Sequence, residues 1–169
     1  MIENIISEFV STAANLTGVL KNISGEDSSR KKSPDAWSAI ECVEHVIMTE
    51  SAVTRILLQR AQDTHPNGLK KELIGKERIE TALNDRLKKY TSPASLTPRG
   101  RYLSLDEAIE AFQRQRNNLI EMLLSGRIEF DGLTRAHPLL GEMTKIDWLH
   151  FLIEHCKRHR EQIMETLHT

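Results

Sequence analysis

The sequence predicts an all-α protein: a four-helix bundle in which residues 1–169 form a single domain, with a long, partly helical crossover between the second and third helices. Three observations carry the prediction. Apolar residues recur at steps of three and four along four separate stretches, which gathers them on one face of an α-helix. The period-two alternation of half-buried strands does not recur, and aromatic residues make up only 5% of the chain, low for a β-rich domain. A length of 169 residues is that of one domain able to bury most of the apolar surface its unfolded chain exposes.

The first helix, from Met1 to Leu20, places Ile2, Ile5, Phe9, Ala13, Leu16 and Leu20 on one stripe, a face for packing. Asn22 to Asp35 collects serine, glycine and aspartate residues that favour turns, and reads as a loop. Ser33-Pro34 sets up the second helix, which runs from about Trp37 through Ile40, Val43, Ile47, Val53 and Leu57 and carries His45. Gln62 to Leu103 contains Pro66, Gly68, Gly75, Pro93, Pro98 and Gly100, so it is a connection and not one continuous helix. Within it, Ile79, Leu83, Leu87 and Tyr90 are spaced for a short amphipathic helix. The third helix starts at Ser104, with Glu107 at capping-box spacing, and stops at Gly126. A loop through Asp131, His137, Pro138 and Gly141 leads to the last helix, which begins near Glu142 or Met143 and buries Trp148, Leu152, Cys156, Ile163 and Leu167. The long connection lets the second and third helices run parallel.

Composition excludes several classes. Hydrophobic residues at 39% are too many for a disordered chain, and charged residues at 28% are too many for a membrane bundle. Lys plus Arg number 23 against 24 Asp plus Glu, and the net charge of −1 offers no broad field to attract nucleic acid or an anionic membrane. Two cysteines, Cys42 and Cys156, are too few for a disulfide scaffold and suit reduced thiols in a cytoplasm. The first residues show no secretory signal, so the expected location is cytoplasmic. No Gly-rich phosphate loop or Ser-His-Asp signature is present.

The chemistry concentrates on histidine. His155 and His159 are four residues apart on the last helix, so both imidazoles share one face and can grip one cation. His45 lies near the edge of the apolar stripe of the second helix, from where it can approach that pair. Three neutral imidazoles suit Zn²⁺, Ni²⁺, Fe²⁺ or Co²⁺ and leave coordination positions for water or a substrate. Glu41, one turn before His45, and Gln162, three residues after His159, are placed to orient a ring or a bound ligand. Periodicity does not show convergence, so two alternatives stay open: histidines that merely pack, and a mixed site in which Cys42 and Cys156, each three residues before a histidine, close a structural zinc. His65, His137, His150 and His168 read as solvated or packing residues. Arg114, Arg116, Arg158 and Arg160 either flank an anionic substrate at the bundle mouth or are solvated. Ser95 to Tyr102 is either a lid over the site or a turn into the third helix.

Trp37-Ser38-Ala39-Ile40-Glu41-Cys42-Val43-Glu44-His45, His137-Pro138-Leu139-Leu140-Gly141-Glu142-Met143-Thr144, Trp148-Leu149-His150-Phe151 and His155-Cys156-Lys157-Arg158-His159-Arg160-Glu161-Gln162 carry a resemblance over most of the chain. It resembles the DinB/YfiT-like family of metal-binding four-helix bundles, in particular its DinB-like branch. The resemblance implies that His45, His155 and His159 bind one divalent metal, zinc or nickel first, with iron, cobalt or manganese as other fits. It implies an up-down-down-up bundle and a homodimer. It also implies a metal-dependent enzyme acting on a small molecule: a thiol S-transferase using a low-molecular-weight thiol cofactor, or a hydrolase. The rival expectation is a noncatalytic, metal-binding, stress-associated homodimer. Neither involves contact with nucleic acid or membrane.

Overall fold

The computed structural model describes residues 1–62 and 72–168. Its long helices are α1 (Ile2–Leu20), α3 (Ala39–Leu57), α5 (Leu105–Leu124) and α6 (Lys145–Leu167). Short elements lie between them: α2 (Gly25–Ser28), α4 (Lys76–Asn84), a 3₁₀ turn at Ala94–Leu96, and strands β1 (Thr134–His137) and β2 (Gly141–Thr144).

Local sequence sets the helix starts. At α3 the Ser38 hydroxyl accepts the Glu41 N–H, and the Glu41 carboxylate accepts the Ser38 N–H at 2.8 Å, which satisfies two otherwise orphaned donors. Thr144 and Asp147 repeat this reciprocal cap at α6. At α5 the Ser104 hydroxyl accepts from Glu107, while the Glu107 carboxylate reaches one residue further back, to the N–H of Leu103. Gly126 ends α5 at φ +73°, where a side chain would be strained.

Packing then fixes the topology. Each of α1 and α3 packs against both α5 and α6, so α1 and α3 stand on one diagonal of the bundle. The apolar core has two clusters. One joins the start of α1 (Ile5, Phe9) and of α6 (Leu149, Leu152) to the ends of α3 (Val53, Leu57) and α5 (Leu119, Leu123). The other joins the end of α1 (Leu16, Leu20) and the later part of α6 (Cys156, Ile163) to the starts of α3 (Cys42, Val43) and α5 (Ala108, Phe112). Hence α1 and α6 run one way and α3 and α5 the other: up-down-down-up, with α3 and α5 parallel. No described helix is long and apolar enough to cross a membrane.

Four stretches differ from the sequence prediction. Asn22 to Asp35, expected as loop, contains the single helical turn of α2, capped by the Ser24 hydroxyl accepting the Asp27 N–H. Residues 134–144, expected as loop and helix start, form an antiparallel hairpin in which Thr134 pairs with Thr144 and His137 with Gly141. Strands of four residues are too short to display a repeating alternation, and α6 consequently starts at Lys145. In the crossover, α4 contains Ile79 and Leu83 but ends before Leu87, which is 95% exposed, and Tyr90. Trp37 stands outside α3, two residues before its first helical residue. Pro66, Gly68 and His65 lie outside the described residues.

Two buried carboxylates pin the crossover. Asp147 accepts the N–H groups of Leu73, Ile74 and Gly75 just before α4. Glu44, 2% exposed, accepts those of Arg99, Gly100 and Arg101 at 2.8, 3.1 and 3.1 Å. Between these anchors Arg158 closes the end of α4 by donating to the carbonyls of Leu83, Asp85 and Lys88.

Candidate metal centre

His45 sits in the first half of α3 among buried Cys42, Val43 and Val46. Its Nδ1 lies 2.7 Å from the Leu96 carbonyl oxygen. A carbonyl only accepts, so Nδ1 carries the proton, and the lone pair of Nε2 is turned the other way, into the bundle. There it meets α6: His45 Nε2 is 3.0 Å from His155 Nε2, which is 3.2 Å from His159 Nε2. One ligand atom from each of the three residues fits within 4.8 Å of the others, and among the described residues this is the one such group of three or more histidine, cysteine or acidic side chains. Metal–nitrogen bonds of ~2.0–2.1 Å place adjacent ligands about 2.9–3.4 Å apart, so the two spacings match edges of a coordination polyhedron.

Protonation also suits a cation. Burial pushes all three rings below the ordinary imidazole value, His155 and His159 well below it. For His155 the neighbouring His159, His45 and His137 and the Arg158 guanidinium add to the effect; for His159 it is His45, Arg158 and Arg86. The rings are therefore neutral near pH 7, as metal ligands must be. A buried, neutral donor set with converging nitrogens fits a divalent first-row ion.

Aromatic rings wall the site. Trp37 lies 4.7 Å from the His45 ring and is stacked over His159 at 6.1 Å, centroid to centroid. Phe151 stands 5.3 Å from His155 and contacts Trp148 and His137 beyond it. The Thr49 hydroxyl is 3.5 Å from His45 Nε2.

Other residues singled out from sequence fall elsewhere. Glu41 is taken up by the Ser38 N–H and by Lys31, so the Leu96 carbonyl orients His45 in its place. Gln162 lies beside the His159 ring and favours its protonated form, although His159 Nδ1 is buried without a well-formed hydrogen bond. Neither Cys42 nor Cys156 joins the ligand cluster; the Cys156 thiol faces the Thr12 carbonyl. Arg116 is buried in an ion pair with Glu50, and Arg158 caps α4, so neither flanks a substrate. Arg160 pairs with Glu161, and Arg114 borders an open groove of about 870 Å³ between α5 and Tyr102. His137 accepts the N–H groups of Leu139 and Leu140 in the hairpin turn, His150 bonds Glu72, and His168 donates to the Met164 carbonyl. The Ser95 to Tyr102 segment, read from sequence as a lid or a turn, meets the site through Leu96, whose side chain carried no signal because its contribution is a main-chain oxygen.

The chain is 28% identical over 146 residues to the uncharacterized protein YuaE of Bacillus subtilis (strain 168), with 86% of each chain covered. Its fold is similar to that in the crystal structure of TT2238, a four-helix bundle protein, at a TM-score of 0.62 and 18% identity, covering 98% of this chain and 99% of that one. The family model of the DinB superfamily matches residues 8–163, nearly the whole bundle, and the chain belongs to that superfamily.

Proposed function

We propose that the protein is a metal-dependent enzyme in which His45, His155 and His159 hold one divalent ion, zinc or nickel first, and that it acts as a thiol S-transferase or a hydrolase on a small molecule. The convergence of three neutral imidazole nitrogens supports this reading most directly. When bound, such an ion supplies Lewis acidity at its remaining positions and lowers the pKa of a thiol or water there. The chain's own groups orient and desolvate: Leu96 fixes the His45 ring, while Trp37 and Phe151 keep bulk water from its neighbours.

The cysteines favour a nucleophile from outside the chain. Burial pushes the Cys42 thiol up to about 12, with Glu41 adding to the effect, and the Cys156 thiol up to about 11 against the opposing pull of Arg116. Neither is a thiolate near neutral pH, so a thiol-transfer reaction here draws its sulfur from a low-molecular-weight cofactor.

The test is metal analysis of untagged protein coupled to a thiol-transfer and hydrolysis panel. One divalent ion per chain is expected, with loss of both metal and activity in His155→Ala and His159→Ala. Stoichiometric metal in both variants would overturn the site. Metal lost with no activity to lose would favour a noncatalytic metal-binding homodimer.

A further inference from the structure

We propose that Glu44 is a positioning residue for the metal centre: by gathering the N–H groups of residues 99–101 it fixes the Leu96 carbonyl, which in turn holds His45 with Nε2 facing inward. The inference rests on the metal-site reading above and adds a residue that does not touch the ion.

Glu44 and His45 are adjacent on α3, and both bond the same short segment of the crossover. The Glu44 carboxylate accepts from Arg99 at 2.8 Å, Gly100 at 3.1 Å and Arg101 at 3.1 Å; the His45 Nδ1–H donates to Leu96 at 2.7 Å. The link between these contacts is stiff. Leu96 ends a 3₁₀ turn whose N–H returns to the Pro93 carbonyl at 2.9 Å. Thr97 is extended at φ −74°, ψ 131°, the conformation favoured before a proline, and Pro98 fixes its own φ. Gly100 then turns at φ +72°, which lets consecutive amides point at one carboxylate. A rigid segment held at 99–101 leaves the carbonyl at 96 little freedom. That carbonyl selects the His45 tautomer, and with it the nitrogen available to a metal.

Asp147, which also caps α6 through Thr144, provides the comparison. It gathers the amides of Leu73, Ile74 and Gly75 at the other anchor of the crossover, where it bonds no part of the histidine cluster. A purely structural role predicts the same phenotype for both carboxylates. A positioning role predicts different ones.

The experiment compares Glu44→Gln with Asp147→Asn in the full chain, with Gly100→Ala as a second route to the same loop. Nothing lies within 4 Å of a Cβ at position 100, so that variant strains the turn without a clash. Zn²⁺ and Co²⁺ dissociation constants are measured by competition, and the His45 tautomer by long-range ¹H–¹⁵N correlation on metal-free protein. Glu44→Gln and Gly100→Ala should weaken metal binding by about 10- to 100-fold and reduce the Nδ1–H tautomer of His45. Asp147→Asn should lower the Tm with its Kd within about twofold of wild type, the range expected for a site it does not contact. Equal Kd values for wild type, Glu44→Gln and Gly100→Ala, or an unchanged His45 tautomer in both, would overturn the inference. A wild-type protein that binds neither ion would instead overturn the metal site.

Discussion

Arg116 of α5 and Glu50 of α3 form an ion pair in the bundle interior, each side chain 1% exposed and the closest N···O distance 2.8 Å. Arg116 also donates from Nη1 to the Phe9 carbonyl and the Thr12 hydroxyl, and its guanidinium lies 4.6 Å from the Phe9 ring centroid and 5.1 Å from that of Phe112. Three long helices thus meet at one charge pair.

Removing either partner leaves the other charge buried and unpaired. Glu50→Ala or Arg116→Ala should each destabilise the protein by about 3–5 kcal/mol, whereas Glu50→Leu combined with Arg116→Met should cost less than either single change. Urea unfolding of the four proteins decides this. A double variant that costs more than either single change would show that the pair is not coupled as the geometry requires.

The histidines make the metal-free protein acid-sensitive. Their folded pKa values lie below the unfolded value of about 6.5, so the unfolded state binds protons first. Stability is therefore full above that value and falls as pH drops below it. His137, whose pKa burial lowers to about 4, contributes a loss that runs down to that pH. Urea midpoints of metal-free protein at pH 7.5, 6.0 and 5.0 should decline in that order. A flat series would contradict the buried, neutral rings.

Both thiols should be silent in the native state. With Cys42 at about 12 and Cys156 at about 11, and both buried, Ellman's reagent at pH 8 should titrate no thiol in folded protein and two per chain in denaturant. Rapid native reaction at either would show that the core admits reagent.

Trp37 offers an optical report. Of the two tryptophans, Trp37 rests on His45 and His159, while Trp148 contacts His137 and Phe151. Co²⁺ or Ni²⁺ should quench fluorescence through Trp37, because quenching by an open-shell ion falls steeply with distance. Trp37→Phe should remove most of the metal-dependent change. Undiminished quenching in that variant would place the ion elsewhere.

Much of the fold was legible because helices announce themselves by period. The stripe within Met1 to Leu20 gives α1 to within one residue, and Ser104 with Glu107 marks the start of α5. The hairpin at 134–144 was not, since two short strands leave no repeat to read. His45, His155 and His159 were legible as ring types at suitable spacing, but their convergence depends on the rotation of α3 against α6, which no single helix encodes. Glu41 and Arg116 show the opposite error. Helical spacing offered each a place near chemistry, and local contacts with Ser38 and Glu50 claimed them first.

The parallel course of α3 and α5 obliges the chain to travel back along the bundle before α5 begins, a span of about 28 Å for a 19-residue helix. That return journey delivers a peptide oxygen to the outer edge of an imidazole on the helix just left. A bundle joined by tight antiparallel turns would have no strand of backbone passing there. The routing of the polypeptide and the furnishing of its histidine pocket are thus the work of one segment, and shortening it would remove a wall along with a connector.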